Sequence, residues 1–131
     1  MKNLTRQEFA ELLQRLADGW NQGNTQQAAE CFTEDALYTE PPDKQYYSGR
    51  EALYQFFGSE NGRAGEMNMV WHHMIFDETE QLGAGEFTFT YGSPVHGVTM
   101  IKVRDGLISH WREYWYASEL PWEEFTRLNS F

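Results

Sequence analysis

Glu113 is the side chain in this sequence with the clearest potential for acid–base chemistry, because tryptophans precede and follow it at alternate positions. It lies in the segment Trp111-Arg112-Glu113-Tyr114-Trp115, and successive side chains of a β-strand point to opposite faces. Trp111 and Trp115 would therefore share a face with Glu113. A carboxyl group among indole rings loses solvation, which raises its pKa towards the range where it can act near neutral pH. The alternative is a salt bridge from Glu113 to a neighbouring basic residue.

Tyr38 and Glu40 are the second candidate pair, on one face of a predicted strand from Ala36 to Glu40 that stops at Pro41-Pro42. If they reach a pocket with Glu113, two close carboxyl groups cannot both ionise cheaply. One would then hold a proton to donate while the other accepts. The alternatives are that Glu40 is solvated at the strand end and that Tyr38 belongs to the core.

The tryptophans are candidates for the walls of a ligand cavity. Aromatic residues make up 16% of the 131 residues, which predicts either a large aromatic core or a cavity with rigid walls. Core packing is the commoner role of such residues. The candidate substrate-binding tryptophans are Trp20, Trp71, Trp111, Trp115 and Trp122.

Neither a metal nor a cofactor is predicted. His72 and His73 are adjacent, and in a regular strand adjacent side chains cannot share one ion; His73 is retained as a pocket candidate. Gly83-Ala84-Gly85 lacks the setting of a phosphate-binding loop, and its glycines suggest a bulge or a bend.

Composition excludes several partners. The formal net charge is −10, which repels nucleic acid and anionic membrane surfaces. The sequence has a single cysteine, no signal-peptide pattern and no apolar run long enough to cross a bilayer. We therefore expect a cytoplasmic protein.

Helices dominate the first half of the predicted structure and strands the second. Capping boxes at Thr5 and Ser48 predict helices that begin there, with a short helix from Thr25 to Phe32 between them. Period-two patterns predict four strands, and Asp105-Gly106 predicts a hairpin turn between the last two. A final helix is predicted over residues 121–128. The predicted strands are Met67 to Phe76, Leu82 to Tyr91, Gly97 to Arg104 and Leu107 to Tyr116.

These elements predict an α+β fold in which a curved antiparallel sheet wraps around the N-terminal helices, with a short C-terminal helix. At this length we expect one domain over residues 1–131.

Several short segments, in this order, carry a family resemblance: Trp20-Asn21-Gln22-Gly23-Asn24, Phe32-Thr33-Glu34-Asp35-Ala36, Tyr38-Thr39-Glu40-Pro41-Pro42, Gly49-Arg50-Glu51-Ala52-Leu53, Gly97 to Val103 and Asp105-Gly106-Leu107-Ile108. The chain resembles the SnoaL-like branch of the nuclear transport factor 2-like superfamily, which has polyketide cyclases, ketosteroid isomerases and limonene epoxide hydrolases as relatives. The resemblance implies a cone-shaped α+β barrel, a pocket between sheet and helices, and homodimers that pack sheet against sheet.

The strand around Glu113 is similar to the Trp-Arg-Asp-Tyr-Phe strand of limonene epoxide hydrolase. The resemblance places Glu113 at the catalytic aspartate, Tyr38 at a water-holding tyrosine and Glu40 at a water-binding asparagine. The Arg-x-Asp pair of that enzyme corresponds here to Glu86 and Thr88, so epoxide hydrolysis is not predicted. The resemblance directs Glu86 and Thr88 to the pocket, whereas local alternation favours burial of the aromatic row on the other face of that strand.

Two functions follow as hypotheses. The first is a cofactor-independent isomerase, cyclase, dehydratase or hydrolase that acts on an apolar or polycyclic metabolite by carboxylate acid–base catalysis. The second is a non-catalytic module of the same fold that binds a small ligand or a protein partner. In a structural variant of the second, the outer sheet face serves mainly to form a homodimer.

Overall fold

The first helix positions one wall of the site and begins as predicted. The computed structural model describes residues 2–62 and 66–131, and α1 spans Arg6–Asn21. The Thr5 hydroxyl accepts a hydrogen bond from the Glu8 amide, and the Glu8 carboxylate accepts one from the Thr5 amide. This reciprocal capping box confirms the predicted start, and the apolar stripe of the helix is buried against the sheet.

Two short helices follow, and both differ from the prediction. α2 covers Thr25–Ala29, because Phe32 already belongs to a strand. α3 covers Arg50–Phe56, and its N-cap is Gly49, which forms no side-chain cap. The predicted capping box at Ser48 is wrong, since Ser48 pairs with Leu37 in the sheet instead.

Within the described residues, six strands make up the sheet, two more than the period-two pattern predicts. The additional strands are β1 and β2, of which β1 extends the predicted strand at Ala36 towards the N-terminus. A 3₁₀ turn spans Ser59–Asn61, and a short helix, α4, spans Trp122–Phe125. The strands are β1 Phe32–Thr39, β2 Tyr46–Ser48, β3 Asn68–Asp77, β4 Leu82–Tyr91, β5 Ser93–Arg104 and β6 Leu107–Ala117.

The predicted meander of β3 to β6 is confirmed. Asp105 and Gly106 form the turn between β5 and β6, with φ angles of 54° and 82°, and Arg104 pairs with Leu107 across it. A two-residue hairpin turn needs such positive φ angles. The turn sets the pairing at the start of β6, and a register shift between Lys102 and Val103 then determines that Glu113 lies opposite Thr99.

The strand order is β2-β1-β6-β5-β4-β3, and β1 runs parallel to β6. The sheet is therefore mixed, and it is open at β2 and β3 instead of closing into a barrel. The α+β class, with a curved sheet, N-terminal helices and a short C-terminal helix, is confirmed. We call the sheet face that carries Phe87, Ile101 and Trp111 the inner face, and the opposite face the outer face.

Rings pack directly on the backbone of the inner face. A Cβ atom at Gly85 would come within 2.4 Å of the Trp71 ring, and one at Gly83 within 2.8 Å of the Phe9 ring. These glycines make room for aromatic side chains, and the pairing of β4 with β5 has no register shift at them. The pairing of β4 with β3 has a bulge, which lies in β3 between Trp71 and His73.

Candidate functional site

A cavity of about 60 Å³ lies between the inner face and the helices α1 and α3. Aromatic rings, methionine side chains and two carboxyl groups form its walls. A cavity of this volume holds a few water molecules or a small organic group, so a polycyclic ligand does not fit this conformation. The lining residues are Trp20, Tyr38, Glu40, Phe56, Phe57, Met67, Met69, Phe87, Phe89 and Glu113.

Glu113 points from β6 into this cavity and is only 8% exposed. Its Oε1 atom accepts a hydrogen bond of 2.9 Å from Nε1 of Trp111, two residues earlier on the same face. Its other polar partner is the carboxyl group of Glu40. The basic neighbours His110 and Arg112 are exposed, so the salt bridge considered as the alternative is not formed with them.

Glu40 reaches Glu113 because of the parallel pairing of β1 with β6. Tyr38 pairs with Trp111 and Thr39 with Arg112. The residues that follow these pairs are Glu40 after β1 and Glu113 in β6, so they lie side by side. The Tyr38 hydroxyl donates a hydrogen bond of 3.0 Å to Oε2 of Glu40, and the Tyr38 ring stacks on that of Trp111 with centroids 5.4 Å apart. Tyr38 is thus buried in the core and also positions a carboxyl group of the site.

The surroundings favour the neutral form of Glu113. Burial is the largest cause, followed by the negative charge of Glu40 and the hydrogen bond between the two carboxyl groups, and together they raise the pKa of Glu113 to about 8. The indole N–H of Trp111 acts in the opposite direction, because it stabilises the ionised form. At neutral pH Glu113 is therefore mostly protonated, and its carboxyl group is hydrogen-bonded to that of Glu40.

Four of the predicted site residues meet at the cavity, namely Trp20, Tyr38, Glu40 and Glu113. Trp111 lies beside it through its hydrogen bond to Glu113. Trp71 serves the core, where its indole N–H donates to the carbonyl oxygen of Leu13 over 2.9 Å.

Four other predicted residues, His73, Glu86, Thr88 and Trp122, lie on the outer face, which corrects their predicted place in the pocket. His73 Nδ1 is 3.0 Å from Glu86 Oε1, and Thr88 lies under the C-terminal segment near Trp122. The physical reason is that the aromatic row of β4 occupies the inner face, so the polar row must face outwards.

The bulge in β3 explains why the adjacent residues His72 and His73 lie on the same face of the sheet. It places an extra residue between Trp71 and His73, so the strict alternation assumed for a regular strand fails there. His72 as a result bonds Thr88 and His73 bonds Glu86, both on the outer face. Burial disfavours the charged imidazole and lowers the pKa of His72, although Glu86 opposes this effect.

Trp115 lies two residues after Glu113 and on the same face of β6, but it is 44% exposed. It lies nearer the end of β6, where it borders a shallow surface depression with Tyr114 and Tyr116. Strand alternation determines the face of a side chain, whereas its burial depends on what covers that face.

Several lining residues were not predicted as part of the site: Phe56, Phe57, Met67, Met69, Phe87 and Phe89. The alternation of Phe87 and Phe89 was the available signal for two of them. No sequence signal identified Met67 and Met69 as lining residues, because their position at the cavity depends on how β3 packs against α1. That contact is fixed by Asn21, whose side chain donates to the Met69 carbonyl over 3.0 Å and accepts from the Met69 amide over 2.6 Å.

Among residues 2–62 and 66–131, no group of three or more His, Cys, Asp or Glu side chains is arranged to hold a metal ion. Within the same residues, no helix has the length and apolar character needed to span a membrane.

A family model of the SnoaL-like domain matches residues 13–111. The match covers the second half of α1, the strands β1 to β5 and the first part of β6, and it ends two residues before Glu113. The chain belongs to the SnoaL-like domain family. No curated protein matches the sequence significantly.

Solved structures of similar fold have 15–21% sequence identity to the chain. A ketosteroid isomerase candidate from Kribbella flavida DSM 17836 has a TM-score of 0.71 at 21% identity, over 88% of this chain and 83% of its own. SalBIII, an epoxide hydrolase/cyclase-like enzyme of pyran ring formation in salinomycin, has a TM-score of 0.70 at 21% identity, over 84% of this chain and 92% of its own. An LEH-like epoxide hydrolase from M. tuberculosis has a TM-score of 0.68 at 15% identity, over 85% of this chain and 84% of its own. At these identities the likeness concerns the fold.

Proposed function

We propose that this protein is a cofactor-independent enzyme that transfers protons within a small apolar metabolite, as an isomerase, cyclase, dehydratase or hydrolase. One observation carries the proposal: the Glu113 carboxyl group is buried in an aromatic cavity and hydrogen-bonded to a second carboxyl group, which raises its pKa to about 8. A carboxylic acid that stays protonated at neutral pH can donate that proton to a substrate. The names of the similar structures include an isomerase candidate and epoxide hydrolase/cyclase-like enzymes, which agrees with this reaction class.

The two carboxyl groups have different starting roles. Oε1 of Glu113 accepts from the Trp111 indole, so the proton of Glu113 resides on its other oxygen. Oε2 of Glu40 accepts from the Tyr38 hydroxyl, which stabilises the ionised form of Glu40. Glu113 is therefore the proton donor of the resting enzyme and Glu40 the acceptor.

An isomerisation then balances without any co-reactant. Glu40 removes a proton from a substrate carbon, and the electron pair of that C–H bond shifts into the substrate. Glu113 delivers its proton to the atom where that electron density arrives. The enzyme is left with Glu40 protonated and Glu113 ionised, and transfer along the hydrogen bond between them restores the starting state.

The cavity walls supply the conditions for this proton transfer. Trp20, Phe87 and Phe89 border the carboxyl pair with apolar surface, so a bound substrate displaces water and is held against both acids. General acid–base catalysis by positioned groups contributes about 10²- to 10⁴-fold. We assign substrate contact to the lining rings, and no role in this step to the outer-face residues.

The test combines a titration with a model reaction. Carbon NMR of the wild type and of Glu113→Gln assigns the Glu113 carboxyl signal, and isomerisation of 3-cyclohexenone to 2-cyclohexenone in D₂O reports proton transfer. Glu113→Gln and Glu40→Gln should each lower the rate about 10²-fold or more. Glu86→Gln is the matched control, because it changes a carboxyl group on the outer face and should leave the rate unchanged. An ordinary Glu113 pKa near 4.5, with equal rates in all variants, overturns the proposal.

The outer face supports a second candidate, a dimeric or protein-binding module. Leu37 is 36% and Tyr46 62% exposed, and with Leu82 and Met100 they border an apolar groove on that face. Contiguous exposed apolar surface is typical of an interaction site. A homodimer through this face predicts a dimer mass in light scattering and a monomer mass for Tyr46→Lys, whereas a wild-type monomer at micromolar concentration contradicts it.

A further inference from the structure

We propose that two copies of this chain associate so that a basic groove on the outer face of each copy binds the acidic C-terminal segment of the other. The basic groove is the outer-face groove bordered by Lys102, His110 and Arg112, and the C-terminal segment comprises residues 118–131. The inference rests on the homodimer given above as the second candidate function, because it states which surfaces meet in that dimer.

The basic groove concentrates positive charge on a chain whose net charge is −10. Lys102 pairs with His110 across β5 and β6, and Arg112 follows on the same face. Within the described part of the chain, none of these three side chains forms a salt bridge, and none of the described residues that border the groove is Asp or Glu. The groove therefore fits a surface that is both apolar and acidic. Its apolar border consists of Leu37, Pro42, Tyr46, Leu82 and Met100.

The C-terminal segment is a surface of this kind. Its acidic side chains outnumber its basic ones by three to one, and all of them are exposed. Leu128 is 90% and Phe131 86% exposed, and large apolar side chains exposed close together are typical of an interaction site. The acidic residues are Glu119, Glu123 and Glu124, and the basic one is Arg127.

The two surfaces lie at opposite ends of the same strands. At the groove, Leu82 of β4 pairs with Lys102 of β5. Towards the other ends of these strands Thr88 pairs with His96, and there His96 Nε2 lies 2.7 Å from the Leu120 carbonyl oxygen. The C-terminal segment is thus held away from the groove of its own copy, and none of its residues borders that groove.

A row of outer-face residues between the two ends provides the place for a symmetry axis. Val98 pairs with Tyr114 in this row, and the two side chains are 37% and 46% exposed. Glu86, which pairs with Val98 at the end of the row, is engaged by His73 at 3.0 Å. Residues on a two-fold axis meet their own copies, and the uncharged side chains of Val98 and Tyr114 permit such a contact.

A two-fold axis that runs across the strands along this row turns one copy end over end. Each C-terminal segment then lies over the basic groove of the other copy, so opposite charges meet and apolar side chains cover each other. The interface is isologous, and the contact between groove and segment is made twice.

Charge reversal on each surface tests the arrangement. The groove variant is Lys102→Glu/Arg112→Glu, and the segment variant is Glu119→Lys/Glu123→Lys. In either variant alone both contacts of the dimer join like charges, so sedimentation equilibrium should show a dimer dissociation constant raised at least about tenfold. An equimolar mixture of the two variants restores opposite charges in both contacts, and it should form a heterodimer that native mass spectrometry identifies by its mass.

Arg6→Glu and Glu11→Lys are the controls, because they reverse exposed charges on α1 and should leave the wild-type dissociation constant unchanged. Circular dichroism checks that every variant is folded. A segment variant that dimerises like the wild type, or a mixture of folded variants that forms no heterodimer, overturns the inference while the outer-face dimer stands. A wild-type monomer at micromolar concentration removes that dimer and the inference with it, and neither result affects the proposed proton-transfer function.

Discussion

Glu40 directly follows β1 and Glu113 lies in β6, far away in the sequence, and their carboxyl groups are hydrogen-bonded because β1 and β6 are parallel neighbours. The pairing of Tyr38 with Trp111 sets the offset between the strands. The same pairing brings the two hydrogen-bond donors of the site together, since the Tyr38 hydroxyl serves Glu40 and the Trp111 indole serves Glu113. One strand register therefore positions the acids and also the groups that distinguish them.

The stability of the protein should depend on pH through Glu113. Its pKa is about 8 in the folded state against an ordinary value of 4.5, so between these pH values the folded protein binds more protons than the unfolded chain. The free energy of unfolding should then fall as pH rises, by up to about 1.4 kcal/mol per pH unit, and level off above pH 8.

Urea denaturation at pH 5, 6, 7 and 8 measures this dependence as the difference between the wild type and Glu113→Gln. The wild type should lose stability relative to the variant with each step, because glutamine does not titrate. Glu86→Gln controls for the loss of a carboxyl group as such. Parallel curves for the wild type and Glu113→Gln would show that Glu113 ionises normally.

Trp111→Phe should raise the pKa of Glu113 further. The substitution removes the indole N–H that donates to Oε1 over 2.9 Å, and this bond stabilises the ionised carboxylate. Carbon NMR titration of the Glu113 carboxyl group measures the shift. Trp20→Phe is the matched control: it shortens another ring at the cavity, which admits water and should lower the pKa or leave it unchanged. A fall in the Trp111→Phe variant would contradict the assigned role.

Local signals sufficed to predict Glu113. The Asp105-Gly106 turn predicts the hairpin of β5 and β6, and alternation assigns Glu113 and Trp111 to one face, although a register shift between Lys102 and Val103 lies between the turn and these residues. The Thr5 capping box, the four meander strands and the fold class follow from equally local patterns. Burial of the carboxyl group could be anticipated because two aromatic residues share its face.

Features that depend on distant pairing could not be predicted in the same way. Nothing in the sequence around Glu40 reveals that β1 pairs parallel to β6 and not with a hairpin partner alone. The bulge at His72 shifts both histidines to the outer face, and it follows from pairing with β4. The family resemblance predicted that Glu86 faces the pocket, whereas the alternation of aromatic residues in its own strand predicted correctly that Glu86 lies on the opposite face.

Asn21→Ala should destabilise the protein and disturb the site. The Asn21 amide group forms two hydrogen bonds with the Met69 backbone, at 2.6 and 3.0 Å, and Met69 lines the cavity. Loss of these bonds should cost about 1 kcal/mol or somewhat more. Urea denaturation checks the cost, with the exposed neighbour Gln22→Ala as control. Equal stability of the two variants would show that the bonds do not hold β3 to α1.

Thr88→Val should release the C-terminal segment from the outer face. His96 Nε2 donates to the Leu120 carbonyl oxygen over 2.7 Å, so its Nδ1 must accept the proton of the Thr88 hydroxyl, 2.8 Å away. The hydroxyl oxygen in turn accepts from Nε2 of His72 over 2.7 Å. Trp122 stacks on the His72 ring with centroids 3.8 Å apart, so this chain of bonds fixes the platform that holds the segment.

Valine keeps the shape of Thr88 but leaves Nδ1 of His96 without its donor, and His96 is only 3% exposed. An unsatisfied buried acceptor costs about 1–3 kcal/mol. The C-terminal residues 118–131 should consequently exchange their amide hydrogens faster, as mass spectrometry can measure. Thr90→Val, two residues further on the same face, should leave that exchange unchanged. Equal protection in both variants would mean that Trp122 and Phe125 hold the segment by ring contacts alone.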